Sequence, residues 1–303
     1  MKTSKLTLSF AAIVLAMTVS VISCKKKDTT ANDTDTSSAN DNSLAEKTSD
    51  DVTNMAGQAS EDGTMSSYRL GSGGQEDVFG LSCATVTRDT VAKTITVVFN
   101  GTCLDGSTRS GSLLFDYSGS APGAKFYRNP GFKCVITSSN YIVDGNAVSI
   151  SKTINNTTAL GFNPAVTNET WSVTDNVSIV RSNGTVSWSA NKIKTLLNTS
   201  DPNVYGGQAV HIIWSKARVG ITGNATGKTA AGDNFTANVT SQLVRDFTCA
   251  PNAARPGRHP FIQGTMDFTP GTKYTRHFDY GNGTCDDQAT VTINGVVYNI
   301  TLP

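Results

Sequence analysis

After residue 78, apolar and polar residues alternate with a period of two, which is the pattern of half-buried β-strands. Residues 94–99, for example, read Thr-Ile-Thr-Val-Val-Phe. Pairs of such runs flank Asp144-Gly145, Asn183-Gly184 and Asn294-Gly295, and an Asx-Gly pair between strands is a strong signal for a hairpin. Consecutive hairpins predict an all-β fold over residues 78–303: an antiparallel meander that forms a twisted open sheet or a sandwich.

Residues 24–77 are different, because they are rich in Asp, Asn, Thr and Ser and contain few large apolar residues. Such a segment buries too little surface to offset the entropy lost on ordering. The sequence therefore predicts a disordered polar tether before the β domain. Leu44, Val52 and Met55 stand at loosely helical spacing, so the alternative is a fraying helix over residues 43–59.

The first 23 residues have the pattern of a secretory signal peptide. Lys2 and Lys5 precede a mostly apolar stretch over residues 6–22, which is short for a membrane span and diluted by hydroxyl residues. The residues Val21-Ile22-Ser23-Cys24 then resemble a lipobox, the site read by lipoprotein signal peptidase. We expect cleavage before Cys24 and its modification by acyl chains such as palmitate. The alternative is an ordinary signal peptide with an unmodified Cys24.

Two or three acyl chains hold a protein stably on a membrane, whereas one chain does not. The predicted location is therefore the cell envelope, and within it the outer membrane. The sequence does not decide between the periplasmic face and the cell surface. The whole chain has a formal net charge of +1, and Lys2 and Lys5 leave with the signal peptide. This balance lacks the basic excess of nucleic-acid-binding proteins, so we expect no nucleic-acid partner.

Five cysteines remain besides Cys24, and export favours disulfides. An Asn-Gly-Thr-Cys-x-Asp sequence occurs twice, at residues 100–105 and 282–287, each time with another cysteine upstream. This echo predicts the bridges Cys83–Cys103 and Cys249–Cys285. Cys134 is left as a buried free thiol, or else as a reactive thiol or an intermolecular bridge.

Two groups of residues are candidate binding sites. Carboxylate and amide oxygens on a glycine-containing loop could bind calcium, although the same residues make ordinary β-turns. Tryptophans on strands most often pack in the core, but an outward pair could stack on sugar rings. The calcium candidates are Asp279, Asn282, Asp286 and Asp287, and the glycan-stacking candidates are Trp171, Trp188 and Trp214.

Other familiar constellations are absent or incomplete. Residues 223–229 resemble a phosphate-binding loop, but the spacer between the glycines has three residues instead of four. The sequence contains no Gly-x-Ser-x-Gly elbow, and its three histidines are far apart: His211, His259 and His277. We therefore assign no catalytic residue and expect no cofactor other than the lipid and the possible calcium.

Several segments together resemble uncharacterised envelope lipoproteins of Bacteroidetes-type bacteria. Besides the lipobox and the polar segment, they are residues 83–89, 94–97, 101–103, 109–111, 243–245 and 279–295. The resemblance implies an envelope location and a β fold, and it brings no catalytic residues. Acidic residues often follow the lipidated cysteine of surface-exported members, whereas Lys25, Lys26 and Lys27 stand there in this chain.

These observations favour a lipid-anchored envelope protein with a non-enzymatic structural or binding role. The first alternative is a glycan-binding module. The second is a hydrolase of polysaccharide or cell-wall material, with Asp279 and either Asp286 or Asp287 as the carboxylate pair. A glycan or an envelope protein is the expected partner besides the membrane, and the oligomeric state is not fixed by the sequence.

Overall fold

This computed structural model describes residues 37–61, 83–103, 106–204, 212–213, 216–249 and 261–302. They form one helix and thirteen strands: α1 (Ser37–Glu61), β1 (Ala84–Asp89), β2 (Thr94–Thr102), β3 (Thr108–Asp116), β4 (Lys133–Val143), β5 (Asn146–Asn156), β6 (Glu169–Arg181), β7 (Gly184–Leu196), β8 (Arg218–Lys228), β9 (Asn234–Asp246), β10 (Phe261–Pro270), β11 (Arg276–Asn282), β12 (Gln288–Ile293) and β13 (Val296–Thr301). The predicted signal peptide and Cys24 lie outside the described residues.

All thirteen strands belong to one sheet, and their spatial order is their order in the chain. Every pair of neighbours is antiparallel, from β1 with β2 to β12 with β13. In the described part of the chain, β1 pairs only with β2 and β13 only with β12, so the sheet is open. The prediction of an all-β antiparallel meander is confirmed.

Strand β6 shows how the alternating pattern produces this sheet. Its residues Trp171, Val173, Val177 and Ile179 are buried on one face, while Thr174 between them is exposed on the other. Side chains that alternate in this way place every second residue in the core. The buried residues of the successive strands join into one large core cluster.

Two of the three predicted Asx-Gly turns have the expected backbone. Asp144 and Gly145 have φ values of 50° and 79°, and Asn294 and Gly295 have 48° and 78°. Positive φ at both central residues is what a type I′ hairpin requires. The third turn is different: Arg181 pairs with Gly184, so its two loop residues are Ser182 and Asn183.

Glycines at two register shifts let neighbouring strands approach closely. Gly223 in β8 has φ 122°, and a Cβ there would lie 2.1 Å from the carbonyl oxygen of Asn191 in β7. Gly264 in β10 has φ 103°, and its Cβ would lie 2.2 Å from the carbonyl oxygen of Gln242 in β9. The register shifts at both positions. Irregularities of this kind bend strands and increase sheet twist.

Helix α1 corrects part of the tether prediction. Residues 37–61 lie inside the segment expected to be disordered, and they form a helix that packs against β6, β7 and β10. The helix and the sheet belong to the same compact unit, Asp33–Pro303. The helix buries four apolar residues, Ala45, Val52, Met55 and Ala56, but also seven polar ones. The low apolar content of this segment predicts a tether, but the sheet provides polar partners that make burial of the polar helix favourable.

Candidate binding site inside the sheet

The most unusual feature of the structure is a row of polar contacts between helix α1 and strand β7. Asn42, Glu46 and Asp50 stand four residues apart and therefore share one face of the helix. In β7, residues 188, 192 and 194 are separated by even numbers of positions, so their side chains project from the same face of the strand. The pairs are Trp188 with Asn42, Lys192 with Glu46, and Lys194 with Asp50. We call these three pairs the polar ladder.

The ladder is buried rather than solvent-facing. The indole Nε1 of Trp188 donates to Oδ1 of Asn42 at 3.0 Å, and Nζ of Lys194 donates to Oδ1 of Asp50 at 3.2 Å. The side chains of Lys194 and Asp50 are each 11% exposed. The ammonium of Lys192 lies 5.1 Å from the ring centre of Trp188, which adds a cation–π contact. Hydrogen bonds to charged groups are worth more in such a dry site than at a surface.

A second buried node lies beside the ladder and joins α1 to β5 and β6. Lys152 and Asp175 are cross-strand partners, with Nζ 2.5 Å from Oδ1 and both side chains almost fully buried. The same ammonium donates to the hydroxyl of Ser49 in α1 at 2.7 Å. Lys152 is therefore bound on both sides, by a carboxylate of the sheet and by a hydroxyl of the helix.

Further ion pairs fix the helix from several strands. Oδ1 of Asp41 lies 2.9 Å from Nη1 of Arg181, and its Oδ2 accepts a hydrogen bond from the backbone of Ala230. Asp50 is also 3.5 Å from Arg245 in β9, and Asp51 is 3.6 Å from Arg109 in β3. With the ladder, the contacts come from β3, β6, β7 and β9. We call the face of the sheet that bears these contacts and the buried core side chains the inner face, and helix α1 is therefore held by several strands of that face.

The pKa values reflect competition between burial and these charges. Burial would raise the pKa of Asp50, but Lys194 and Arg245 outweigh it and hold that pKa well below its ordinary value. Burial would lower the pKa of Lys192, but Glu46 and Asp50 raise it. For Lys152, burial wins over the attraction of Asp175 and lowers the pKa to about 8. Asp50 and Lys192 are thus stabilised as ions by the opposite charges around them.

The contact between Ser49 and Lys152 does not provide the chemistry of a serine hydrolase. Such chemistry needs a hydroxyl that a substrate carbonyl can reach and a base that is free to take its proton. Ser49 is 2% exposed and Lys152 is 1% exposed. The ammonium of Lys152 is also bonded to Asp175. The arrangement is suited to holding a helix in place.

Two of the three tryptophans named as glycan-stacking candidates, Trp171 and Trp188, are buried. Trp171 and Trp188 are 1% and 3% exposed, so neither offers a ring face to solvent. Trp171 instead stacks on Tyr127 at 5.0 Å and donates its Nε1 to the Tyr127 carbonyl at 3.0 Å. The stacking expectation is corrected for these two residues, because alternation places both on the inner face. Trp214 lies outside the described residues.

The calcium candidates make local turn contacts. Oδ1 of Asp279 accepts from the amide of Gly281, and Oδ1 of Asp286 accepts from the amide of Gln288. Asn282 bonds Thr284, and Asp287 bonds the Gln288 side chain. Among the described residues, no group of three or more His, Cys, Asp or Glu is placed to hold a metal ion. For Asp279 and Asp286 this is the geometry of Asx turns, as expected of residues in ordinary β-turns.

Both predicted disulfides are present. Cys83 is bonded to Cys103, and Cys249 to Cys285. Cys134 in β4 is free and buried, and burial raises the pKa of its thiol to about 12. A thiol with this pKa is almost entirely protonated at neutral pH and hence a poor nucleophile. This supports the interpretation of Cys134 as a small apolar core residue.

The segment that resembled a phosphate loop is part of a strand. Residues 223–228 lie within β8, where they pair with β7 and β9. One histidine has a clear partner: Nδ1 of His277 lies 2.6 Å from Oδ1 of Asp267, and the His277 side chain is 46% exposed. The other two histidines lie outside the described residues. Sequence analysis missed this pair, because only the register of β10 and β11 brings the residues together.

The fold and the ladder together define an open antiparallel sheet that holds a polar helix on its inner face. No protein-family model matches the chain, and no curated protein or solved structure matches it either. No helix in the described residues is long and apolar enough to cross a membrane.

Proposed function

We propose that this protein is a lipid-anchored protein of the cell envelope with a non-enzymatic binding or structural role. The lipobox ending at Cys24 supports the anchor. The observation that carries the non-enzymatic role is the polar ladder, because the buried lysines Lys192 and Lys194 of the sheet are bonded to carboxylates of the chain's own helix.

The direction of the pKa shifts supports the same role. A glycosidase needs one carboxyl whose pKa is raised, so that it can donate a proton near neutral pH. Among the described residues, the pKa values of Asp50 and Asp116 are displaced, and both are lowered. For Asp116 the cause is hydrogen bonding by Ser118 on an exposed turn. Neither group has the property of a general acid.

Helix α1 also changes the expected distance between the anchor and the domain. With the helix inside the sheet, only residues 25–36 separate Cys24 from the start of α1. Even fully extended, these residues span at most about 40 Å. We therefore propose that the anchor keeps the domain within this distance of the membrane, and three lysines beside Cys24 in the sequence, Lys25, Lys26 and Lys27, are suited to bind anionic headgroups.

The anchor is tested by expressing the natural chain and Cys24→Ala in a bacterium that processes lipoproteins. We expect the natural chain in the membrane fraction, with a mass increased by two or three acyl chains. The Cys24→Ala chain should carry no lipid and leave that fraction. Equal membrane association of the two chains, or an unmodified Cys24, would reject the anchor.

A glycan-binding role is the second candidate, and the outer face of the sheet favours it. A row of exposed or half-exposed polar side chains crosses six neighbouring strands, from β6 to β11. It consists of Thr174, Asn191, Asn224, Asn238, Asp267 and His277. Neighbouring members stand about 4.8 Å apart, so the row presents hydroxyl, amide and carboxylate groups over more than 20 Å.

The row is tested with a screen of glycans and cell-wall fragments on the full mature chain. Saturable binding that is lost in Asn191→Ala/Asn224→Ala would support the glycan-binding role at this face. A matched control is Ser182→Ala/Asn183→Ala in the β6–β7 turn, which lies outside the row. Binding that both double variants retain, or the absence of binding, would reject it.

A further inference from the structure

We infer that the inner face of the sheet is a homotypic docking site: it accepts helix α1 from a second copy of this chain in the same way as it accepts its own. The partner is identified by chemistry, because the ladder recognises an amide and two carboxylates at positions i, i+4 and i+8 of a helix. Every copy of the chain carries that helix. The inference rests on the proposed binding role and assigns its partner.

Charge complementarity makes the site selective for an acidic helix. The sheet side contributes Lys192, Lys194 and Arg245, and the helix side contributes Glu46 and Asp50. Without an acidic occupant, these three cations would lose their contacts with Glu46 and Asp50. Buried charges left without partners are strongly unfavourable, so an emptied site favours refilling. An identical helix restores every contact.

Helix α1 is not covalently fastened to the sheet at the site. The two disulfides join Cys83 to Cys103 and Cys249 to Cys285, and all four cysteines lie outside α1. The chain between α1 and Cys83 consists of residues 62–82, which can span at most about 70 Å. Helix α1 is therefore joined covalently to its own sheet through this segment alone.

The open sheet provides a route for exchange. Strands β1 and β13 are the two edges, and in the described part of the chain they do not pair with each other. Helix α1 is bound through side-chain contacts and belongs to no strand pair, so it can leave or enter without the rupture of any hydrogen-bonded strand pair. Because the exchanged and unexchanged forms contain the same contacts, local concentration decides between them. Lipid anchoring confines the copies to a surface and raises that concentration.

The test uses two forms of the full mature chain that carry different affinity tags and are otherwise natural. They are mixed at high concentration, one tag is captured, and the co-captured second form is quantified. Synthetic peptides of residues 37–61 are then added as competitors. We expect co-capture, and we expect the natural peptide in excess over its dissociation constant to reduce it about tenfold.

Two altered peptides make the result specific to the ladder. A peptide with Glu46→Lys and Asp50→Lys places two lysines opposite Lys192 and Lys194 and should not compete. The matched control carries Asn40→Lys and Ser43→Lys, at exposed positions of the helix, and should compete like the natural peptide. Absence of co-capture, or co-capture that the natural peptide does not reduce, would overturn the inference.

The result is independent of the anchor test. Co-capture is measured for tagged chains with Cys24 and for tagged chains with Cys24→Ala, at equal concentration in solution. The two forms have the same helix α1 and the same sheet. Co-capture by both forms supports helix exchange even if Cys24 carries no lipid. Lipidation without co-capture would leave the anchor standing and reject the exchange.

Discussion

Trp188 donates its indole proton to Oδ1 of Asn42 at 3.0 Å and so ties the middle of strand β7 to the first half of helix α1. Both residues are buried, at 3% and 5% exposed. A buried donor that loses its acceptor bears the full cost of desolvation, about 1–3 kcal/mol. This single bond therefore offers a direct measure of how strongly the helix is held.

We predict that Asn42→Leu lowers the free energy of unfolding by about 1–3 kcal/mol, because it leaves Nε1 of Trp188 without its acceptor. The measurement is urea unfolding followed by tryptophan fluorescence. In a double-mutant cycle with Trp188→Phe, the two losses should not add, since both remove the same bond. Ser43→Ala, at an exposed position of the helix, is the control. Additive losses would show that the two residues are not coupled.

The buried pair of Lys152 and Asp175 should respond asymmetrically to substitution. Asp175→Ala or Lys152→Ala leaves one uncompensated charge in the core, and we expect each to cost about 3–5 kcal/mol. The double variant Lys152→Met/Asp175→Leu removes both charges and should cost less than either single variant. Urea unfolding of the four chains measures this. A double variant that is less stable than both single variants would contradict the prediction.

Acid should weaken the attachment of the helix through Asp50. The folded pKa of this carboxyl is held below its ordinary value of 3.8. Its contribution to stability is therefore complete above that value and is lost as the pH falls through the folded pKa. We expect Asp50→Asn to lower stability at neutral pH by about 3 kcal/mol, since Lys194 and Arg245 lose their carboxylate.

The same variant should also show a shallower loss of stability below pH 4, because it lacks the titrating group. Urea unfolding at a series of pH values from 7 to 3 tests both parts. The control is Lys47→Gln on the exposed side of α1, which should follow the natural chain at every pH. Parallel pH profiles of the natural chain and Asp50→Asn would refute the assigned role.

The disulfides should stabilise the two ends of the sheet. The bridges close segments of 20 and 36 residues, and the chain-entropy model gives about 3–4 kcal/mol for each. We expect Cys249→Ser/Cys285→Ser to cost slightly more than Cys83→Ser/Cys103→Ser, because its loop is longer. Thermal unfolding of the two double variants tests which bridge contributes more stability. A reducing agent should lower the stability of the natural chain to that of a variant with all four of these cysteines replaced by serine.

Local sequence patterns were sufficient for the sheet but not for the helix. The alternation of residues such as Trp171, Val173 and Thr174 fixes which face of a strand is buried, since side chains of a strand alternate by geometry. The Asx-Gly pairs at residues 144–145 and 294–295 fix their hairpins, because few residues tolerate positive φ. The repeated cysteine motif indicated both disulfides.

Helix α1 has no comparable signal, because its buried side includes Asp41, Asn42, Ser49 and Asp50. Polar residues are assigned to solvent in any analysis based on hydrophobic periodicity. Their burial is favourable only because they bond partners on strands more than a hundred residues away in the sequence. These partners are Arg181, Trp188, Lys152 and Lys194. The loosely helical spacing of Leu44, Val52 and Met55 was the one available sign.

The sequence by itself determined the antiparallel strands, most of their turns and the cysteine pairing, because each of these depends on backbone sterics and on residues close together in the chain. Only the tertiary structure decided that residues 37–61 are a helix packed on the sheet and that Trp188 meets Asn42 there. The physical reason is that a buried charge is stable only beside its counter-charge, and which groups meet is set by the register and curvature of the whole sheet.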